Sequence, residues 1–506
     1  MAKVVFKKDR SDQLMLLPPD LGSFIPENHL VRVVDKVIDE LKLSPLFDTY
    51  KGGGTSSYSP RMLLKVITYA YIEKIYTSRP IAKALKENIY FMWLSGMSTP
   101  DFTTVNNFRS KRLKESVDDV FSSVIEVMIK GGYIKAENLF VDGTKIEANA
   151  NKYSYIWKKN VERHESMVKE NIKKLLSRIE ELQKAEDTEY GSHDLEEYEG
   201  KISAEQIDKV VSEINQKISK WAKSNKSKVR ELKNESSKLK KYEDQKKTLG
   251  GRNSCSKTDN DATFFRMKED TFGSQLKPAY NVQIATENQF ILGYGIYQKA
   301  ADTSVFIPFM NRLQSLNIPL KNVIADAGYG SEENYEYAER NDIGNYMKYN
   351  NFDYEKTKSY KEKKFISDHF VFDKDNNQYM CSSGQKLDFA FIKKAVTENG
   401  YEIEKMVYRS KNCAGCSYQE KCCKGQNNRS IEVSHKLIDY KNIVRKNLES
   451  ETGKKLTLKR GVDVESVFGQ IKHNNKFRRF NTRGIKNVST EWGIISIAHN
   501  IKKMAN

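Results

Sequence analysis

Apolar residues recur at every third or fourth position through the first quarter of the chain. Residues 30–41 and 62–71 each carry such a stripe, and a long helical pattern follows at 104–130. This spacing predicts an all-helical region over residues 1–132. Short helices with a basic segment at 109–114 fit a helix-turn-helix-like DNA-binding domain, and a plain helical bundle fits them equally well.

At residue 138 the pattern changes from helical to strand-like. Residues 138–150 predict a first strand whose apolar run contains one acid, Asp142. Residues 276–286 and 290–299 predict two further strands joined by a turn, and 304–316 predicts a helix. A short buried strand then ends at Asp326, and a helix and one more strand follow it. The alternative for Asp142 is a turn aspartate, and for Asp326 a helix-capping aspartate.

Two segments interrupt this order. Residues 155–254 are rich in Lys, Glu and Ser, and their apolar positions at 161–182 and 207–221 follow steps of three, four and seven. That spacing predicts two coiled-coil-like helices in an antiparallel hairpin. Residues 351–440 have no regular pattern and contain five of the six cysteines.

The cysteine spacing predicts a structural metal site of moderate specificity. Cys413 and Cys416 form one Cys-x-x-Cys pair, and Cys381 with Cys422 or Cys423 would complete four thiolates for tetrahedral Zn²⁺. Because only one such pair is present, free thiols are the alternative. The low cysteine content of the whole chain is typical of a reducing cytoplasm.

The charge points to a polyanionic partner. The chain of 506 residues has a formal net charge of +18, which in soluble proteins most often indicates nucleic acid binding. Hydrophobic residues make up 38% of the sequence, so it can build true cores and is not a disordered chain. No apolar run is long enough to span a membrane, and we expect a cytoplasmic protein without a membrane partner.

A third acid lies near the C-terminus, in a predicted amphipathic helix. Glu465 lies beside its apolar stripe, and a basic tail follows that includes Lys472, Arg478 and Arg479. A charged surface helix is the alternative. The order of three strands, helix, strand with acid, helix, strand and helix with acid is that of an RNase H-like fold. We therefore predict a mixed α+β and α/β protein with an RNase H-like core at 133–154, 255–350 and 441–506.

Three carboxylates on separate elements suit one particular chemistry. Hydrolysis or transfer of a phosphodiester requires negative charge to be stabilised on both the attacking and the leaving oxygen. Two Mg²⁺ ions about 4 Å apart provide this, and Mg²⁺ prefers carboxylate oxygens as ligands. We expect Asp142, Asp326 and Glu465 to bind Mg²⁺ or Mn²⁺, with Lys472, Arg478, Arg479 and Arg460 contacting DNA phosphates.

The regions around the three acids resemble those of bacterial insertion-sequence DDE transposases. The resembling segments are LFVDGTKIEANA, VIADAGYGS and RGVDVESVFGQIKHNNKFRRF, and the resemblance extends to the helical N-terminal region. It implies catalysis by Asp142, Asp326 and Glu465, cleavage at terminal inverted repeats, joining to target DNA, a divalent metal, and a homodimer that pairs two DNA ends. An RNase H-like nuclease without strand joining and a non-catalytic transposase-derived DNA-binding protein are the alternatives.

The family pattern around the third acid is Tyr, two residues, Arg, three residues, Glu, six residues, Lys. Glu465 and Lys472 match the last spacing. Arg460 lies one residue further from Glu465 than the pattern requires, which on a regular α-helix turns it away by about 100°. Thr457 stands at the position of the family's Tyr.

Overall fold

The structure is a computed structural model. It describes residues 20–50, 57–190, 203–217, 223–267, 275–423 and 428–505. Its elements confirm the predicted mixture of helices and sheets.

The N-terminal region is helical, as its apolar spacing predicts. Its described helices are α1 (Leu30–Glu40), α2 (Ser44–Asp48), α3 (Pro60–Ile72), α4 (Ser78–Glu87), α5 (Ile89–Ser95), α6 (Phe102–Asn107) and α7 (Leu113–Lys130). A π-helical turn at Phe108–Arg112 joins α6 to α7 without a break. In that turn Arg109 is buried and donates hydrogen bonds to the Tyr71 hydroxyl and the Tyr76 carbonyl, so it stabilises the helices.

A central mixed sheet follows. Its strands are β1 (Asn138–Glu147), β4 (Thr263–Arg266), β5 (Leu276–Glu287), β6 (Phe290–Tyr297), β7 (Asn322–Ala325) and β8 (Gly344–Met347), and a separate ribbon pairs β2 (Tyr155–Trp157) with β3 (Ser254–Ser256). β5 pairs antiparallel with β1 and β6, whereas β7 lies parallel to both β1 and β8. The order β6-β5-β1-β7-β8, with β4 beside the start of β5, places β1 in the middle of the sheet.

The helical insertion contains more than the predicted hairpin. Its described helices are α8 (Lys158–Tyr190), α9 (Ala204–Lys217) and α10 (Lys223–Leu249), and α10 packs against both of the others. The sequence pattern missed α10 because its apolar residues are sparse: Val229, Leu232 and Leu239 are buried among mostly charged neighbours. Residues 218–222 of the predicted second helix lie outside the described residues.

The segment 351–440, which showed no regular pattern, forms an antiparallel sheet. Helices α11 (Asp302–Ser315), α12 (Glu332–Arg340) and α13 (Lys358–Lys361) precede its strands β9 (Val371–Asp373), β10 (Gln378–Met380), β11 (Lys386–Val396), β12 (Glu402–Ser410) and β13 (Ser430–Val433), with α14 (Gln419–Cys422) between the last two. The strands pair in the order β13-β12-β11-β10-β9. Most side chains of β11 are exposed, so the alternation that marks a half-buried strand is absent from its sequence.

The C-terminal helices return to the central sheet. They are α15 (His435–Glu449), α16 (Glu451–Arg460), α17 (Ser466–Gly469) and α18 (Ile485–Met504). α18 is buried along most of its length and packs against β6, α3 and α7. One hydrophobic core therefore includes residues of the N-terminal helices, the central sheet and α18. Among the described helices, none is both long and apolar enough to cross a membrane.

Candidate active site

The first two acids, Asp142 and Asp326, lie side by side on the neighbouring strands β1 and β7 of the central sheet or directly after them. β1 and β7 run parallel with Val141 opposite Ala325, and each of these residues directly precedes an acid. Asp142, in the middle of β1, and Asp326, directly after β7, therefore lie side by side where the parallel pairing of the two strands stops. Backbone N–H groups orient both carboxylates: Gly143 donates to Asp142 at 2.8 Å, and Gly328 donates to Asp326 at 2.9 Å.

The third acid reaches the same place because the C-terminal helix contains a π-helical turn. This turn spans Gly461–Glu465 and continues α16 into α17. In a π-helix the hydrogen bonds join residues five apart, and each turn is wider than that of an α-helix, so Arg460 and Glu465 come close to one face. Their side chains form a contact of 3.3 Å between Nη1 of Arg460 and Oε1 of Glu465. The extra residue between Arg460 and Glu465, which on a regular helix would separate the two side chains, is absorbed by the π turn.

Arg460 lies between all three acids. Its Nη2 is 3.4 Å from Oδ1 of Asp142 and 3.6 Å from Oδ2 of Asp326, in addition to the contact with Glu465. The Arg460 side chain is only 14% exposed, whereas that of Glu465 is 61% exposed. The structure thus brings Asp142, Asp326 and Glu465 together around one cation. The Nε atom of Arg460 is buried and has no hydrogen-bond partner among the described residues.

Asp463 fixes the π turn to the sheet. Its buried Oδ1 accepts hydrogen bonds from the hydroxyl of Thr286, at 2.8 Å, and from the backbone N–H of Gln289, at 2.9 Å. Both partners belong to the hairpin of β5 and β6. Asp463 is therefore a structural acid, and Glu465, two residues later, is the one that faces the acids of the sheet.

A cleft of about 280 Å³ opens beside Glu465. Its lining includes Lys472 and His473 from the C-terminal helix, Lys145 from β1 and Asp302 from the start of α11. Nζ of Lys145 lies 3.4 Å from Oδ1 of Asp302. Sequence reasoning placed Lys472 correctly beside Glu465 but missed Lys145 and Asp302. Lys145 follows Asp142 on the same strand and was a visible candidate, whereas nothing in the sequence relates Asp302 to that strand.

A buried amide connects the cleft to the loop after β7. The Nε2 of Gln283 donates to Oδ1 of Asp302 at 2.9 Å and to Oδ1 of Asn281 at 3.0 Å, and its Oε1 accepts from the hydroxyl of Tyr329. Burial raises the pKa of Tyr329 well above its ordinary value, and the negative charges of Asp302, Asp142 and Asp326 raise it further. Tyr329 therefore stays a protonated donor and holds the loop that follows Asp326.

The basic tail has a partly structural role. Arg479 donates from Nε and Nη2 to the carbonyls of Ala148 and Ala150, both at 3.1 Å, and so clamps the chain that leaves β1. Arg478 is exposed and lies 3.2 Å from Nδ1 of His473. Phe477 and Phe480 are buried and pack in the core, so they do not form an exposed aromatic surface.

The donor chemistry of the three acids fits a hard divalent cation, because carboxylate oxygens are the ligands that Mg²⁺ and Mn²⁺ prefer. In the part of the chain that the structure describes, no three His, Cys, Asp or Glu side chains already stand as a group able to hold a metal ion. The positive charge that joins the three acids in this structure is that of Arg460.

The cysteines of the predicted zinc site line one cavity. These are Cys381, Cys413, Cys416 and Cys422, together with Cys423, the alternative to Cys422 in the predicted set. Burial and, to a smaller extent, the neighbouring Cys422 and Cys413 together raise the pKa of Cys423 to about 11. Cys413 accepts a hydrogen bond from the backbone N–H of Arg429. The cysteines therefore cluster as predicted, but the described residues show no metal-binding group, and zinc stays a prediction.

Two family models match the chain. The model described as Transposase DDE domain matches residues 380–505, which include Glu465 but neither Asp142 nor Asp326. The model described as Transposase domain (DUF772) matches residues 19–111 in the helical N-terminal region. No curated protein and no solved structure matches the chain. Both matches, one at each end of the sequence, are to transposase domains, so in these two regions the chain is similar to insertion-sequence DDE transposases.

Proposed function

We propose that this protein cleaves the ends of an insertion sequence and joins them to target DNA by phosphodiester hydrolysis and transesterification. The observation that carries the proposal is the convergence of Asp142, Asp326 and Glu465 on Arg460. Like charges repel, so three carboxylates remain together only where a cation accompanies them. An RNase H-like core is part of the proposal, and the strand order β6-β5-β1-β7-β8 supports it.

The proposed metal, Mg²⁺ or Mn²⁺, would be held by Asp142, Asp326 and Glu465, beside the point where β1 and β7 stop pairing. Bound there, the metal would supply charge stabilisation for the attacking and leaving oxygens of the phosphodiester. The chain prepares the acids for this role: the N–H groups of Gly143 and Gly328 each bind one oxygen of the adjacent aspartate, which fixes the direction of the other oxygen.

The cations around the acids would position the DNA. Lys472 lines the cleft beside Glu465, and Nε of Arg478, six residues later, donates to the Lys472 carbonyl at 3.4 Å. Arg460 would exchange its carboxylate partners for a DNA phosphate, because a guanidinium binds both groups through the same paired N–H donors. Arg479, which holds Ala148 and Ala150, would act mainly by fixing the loop after β1.

The proposed partners are double-stranded DNA, as the element's terminal inverted repeats and as target, and a second copy of the chain in the DNA complex. The net charge of +18 supports a polyanionic partner. The proposed site of action is the cytoplasm.

A strand-joining assay tests the function. The protein is incubated with Mg²⁺, a labelled duplex that carries the element's own end, and an unlabelled plasmid. We expect label in the plasmid, which a nuclease without joining activity would not produce. Cleaved but unjoined ends would favour the nuclease, and binding without cleavage in Mg²⁺ or Mn²⁺ would favour a non-catalytic DNA-binding protein.

A further inference from the structure

One face of α10 carries a row of cations that the proposed chemistry does not use. Its members are Arg230, Lys233, Lys240 and Lys241, and all four are exposed. They recur at helical spacing on a face beside that of Val229, Leu232 and Leu239, which pack in the core of the insertion. We call these four residues and Lys257, which lies beyond the end of the helix, the cationic row.

The cationic row differs from the other cations of α10 in having no counter-charge. Lys228, Lys238 and Lys246 form ion pairs with Glu231, Glu235 and Glu165. Within the described residues, no carboxylate lies within ion-pair distance of any member of the cationic row. An ordinary solvated helix face mixes both signs, whereas this face carries only Asp244 against four cations.

Three members of the cationic row, Lys240, Lys241 and Lys257, line an open groove of about 460 Å³. Residues 237, 240, 241, 244, 245 and 248 of α10 form one wall, and Lys257 and Asn260 form the other. Gln245 adds an amide donor to the lysines, whereas the hydroxyls of Ser237 and Thr248 donate to the carbonyls of Lys233 and Asp244. Ammonium groups combined with small polar donors are the groups that proteins use to bind nucleic acid phosphates.

Direct contacts connect the groove to the candidate active site. β1, which carries Asp142, ends where Glu147 pairs with Arg479. Nε of Arg483 then donates to the Asn149 carbonyl at 2.7 Å, and the N–H of Asn151 donates to Oγ1 of Thr258, the neighbour of Lys257, at 2.9 Å. Arg479 and Arg483 thus contact the end of β1 and the loop after it, and the same loop contacts Thr258 beside the cationic row.

We propose that the cationic row of α10 binds the phosphate backbone of the DNA duplex that extends away from the cleaved end. The row from Arg230 to Lys241 is about 16 Å long at the rise of an α-helix, which matches several successive phosphates of one strand. The contacts are to backbone rather than to bases, so they add affinity without sequence preference. This proposal rests on the proposed function, because it names a second surface for the same DNA.

The test compares charge-matched variants in the full chain. Lys240→Gln with Lys241→Gln removes two members of the row, and adding Arg230→Gln with Lys233→Gln removes four. The control, Lys228→Gln with Lys238→Gln, removes two cations of α10 that already have carboxylate partners. Binding of a long random-sequence duplex is measured at several salt concentrations, and thermal unfolding verifies that each variant is folded.

Each phosphate contact adds about one to the slope of log affinity against log salt concentration. We expect that slope to fall by about two in the double variant and about four in the fourfold variant, with the control close to wild type. Wild-type slopes in both row variants, or an equal fall in the control, would overturn the proposal. A lowered slope in a protein that never cleaves its own DNA ends would count against the proposed function alone.

Discussion

Nη2 of Arg460 lies 3.4 Å from Oδ1 of Asp142, between the C-terminal helix and the central strand of the sheet. The same guanidinium contacts Asp326 and Glu465. The three acids therefore share one counter-charge, which a bound divalent metal would replace. If the acids bind the proposed metal, Arg460 would compete with it for them, and Arg460 is also a candidate ligand of a DNA phosphate.

Replacing Arg460 with Gln should destabilise the metal-free protein and increase the stabilisation that Mn²⁺ provides. Without the guanidinium the three carboxylates repel one another, at a cost of about 1 kcal/mol because the site is partly exposed. Thermal unfolding in EDTA should occur at a lower temperature than for wild type, and Mn²⁺ should raise it by more. Arg460→Lys keeps the positive charge, so its unfolding temperature in EDTA should lie between those of wild type and Arg460→Gln. Equal unfolding temperatures for Gln and wild type in EDTA and in Mn²⁺ would contradict this view of the site.

Asp463 should be important through its acceptor atom rather than its charge. Asp463→Ala leaves the Thr286 hydroxyl and the Gln289 N–H without their acceptor, which should cost about 1–3 kcal/mol of unfolding free energy. Asp463→Asn can still accept both hydrogen bonds through Oδ1 and should cost less. Urea unfolding of the two variants measures the difference, and equal losses would show that the hydrogen bonds are not what holds the π turn.

Gly143→Ala should disrupt the buried amide beneath the site. A Cβ at this position would overlap the side chain of Gln283, which is fully buried and held by Asn281 and Asp302. Overpacking of this kind costs about 1–3 kcal/mol. Gly469→Ala is the matched control, because a Cβ there meets nothing within 4 Å and Ala favours a helix. Thermal unfolding should therefore shift down for the first variant and not for the second; a common shift would refute the packing argument.

His499 should make the protein less stable in mild acid. Burial lowers the pKa of His499 from 6.5 to about 4, while its Nε2 lies 2.9 Å from the Gln289 carbonyl and Lys503 and Lys502 oppose a second positive charge. The unfolded chain binds the proton more tightly than the folded protein, so stability is full above pH 6.5 and falls as the pH drops toward 4.

The pKa difference corresponds to about 3 kcal/mol of unfolding free energy over that interval. Urea midpoints measured between these pH values should therefore fall more steeply for wild type than for His499→Gln, which carries no titratable ring. Parallel curves for the two proteins would show that other groups control the acid sensitivity.

The sequence predicted the elements of the core because their patterns are local. The run that ends at Asp326 is short, apolar and followed by glycines, and it forms β7 as expected. Asp142 and Asp326 lie together because β1 and β7 are parallel and their pairing stops directly before the two acids. The position of Lys472 followed from its spacing to Glu465.

The role of Arg460 could not be predicted, because one π-helical turn changes which residues share a face, and no residue pattern marked Gly461–Glu465 as π-helical. The same turn depends on Asp463 reaching Thr286, a contact between residues far apart in the sequence. Asp302 was missed for a similar reason, since its partners Gln283 and Lys145 lie on other elements. α10 was missed because charged residues outnumber its buried apolar ones.

The most direct test of the account is Mg²⁺-dependent cleavage of the element's own DNA end by four variants. Asp142→Asn, Asp326→Asn and Glu465→Gln each remove one of the converging charges, and Glu451→Gln removes an exposed acid of the same C-terminal helices. We predict that the first three lose cleavage while still binding the DNA, and that Glu451→Gln cleaves as wild type does. Undiminished cleavage by Asp142→Asn, Asp326→Asn or Glu465→Gln would contradict the proposal that these three acids form the active site.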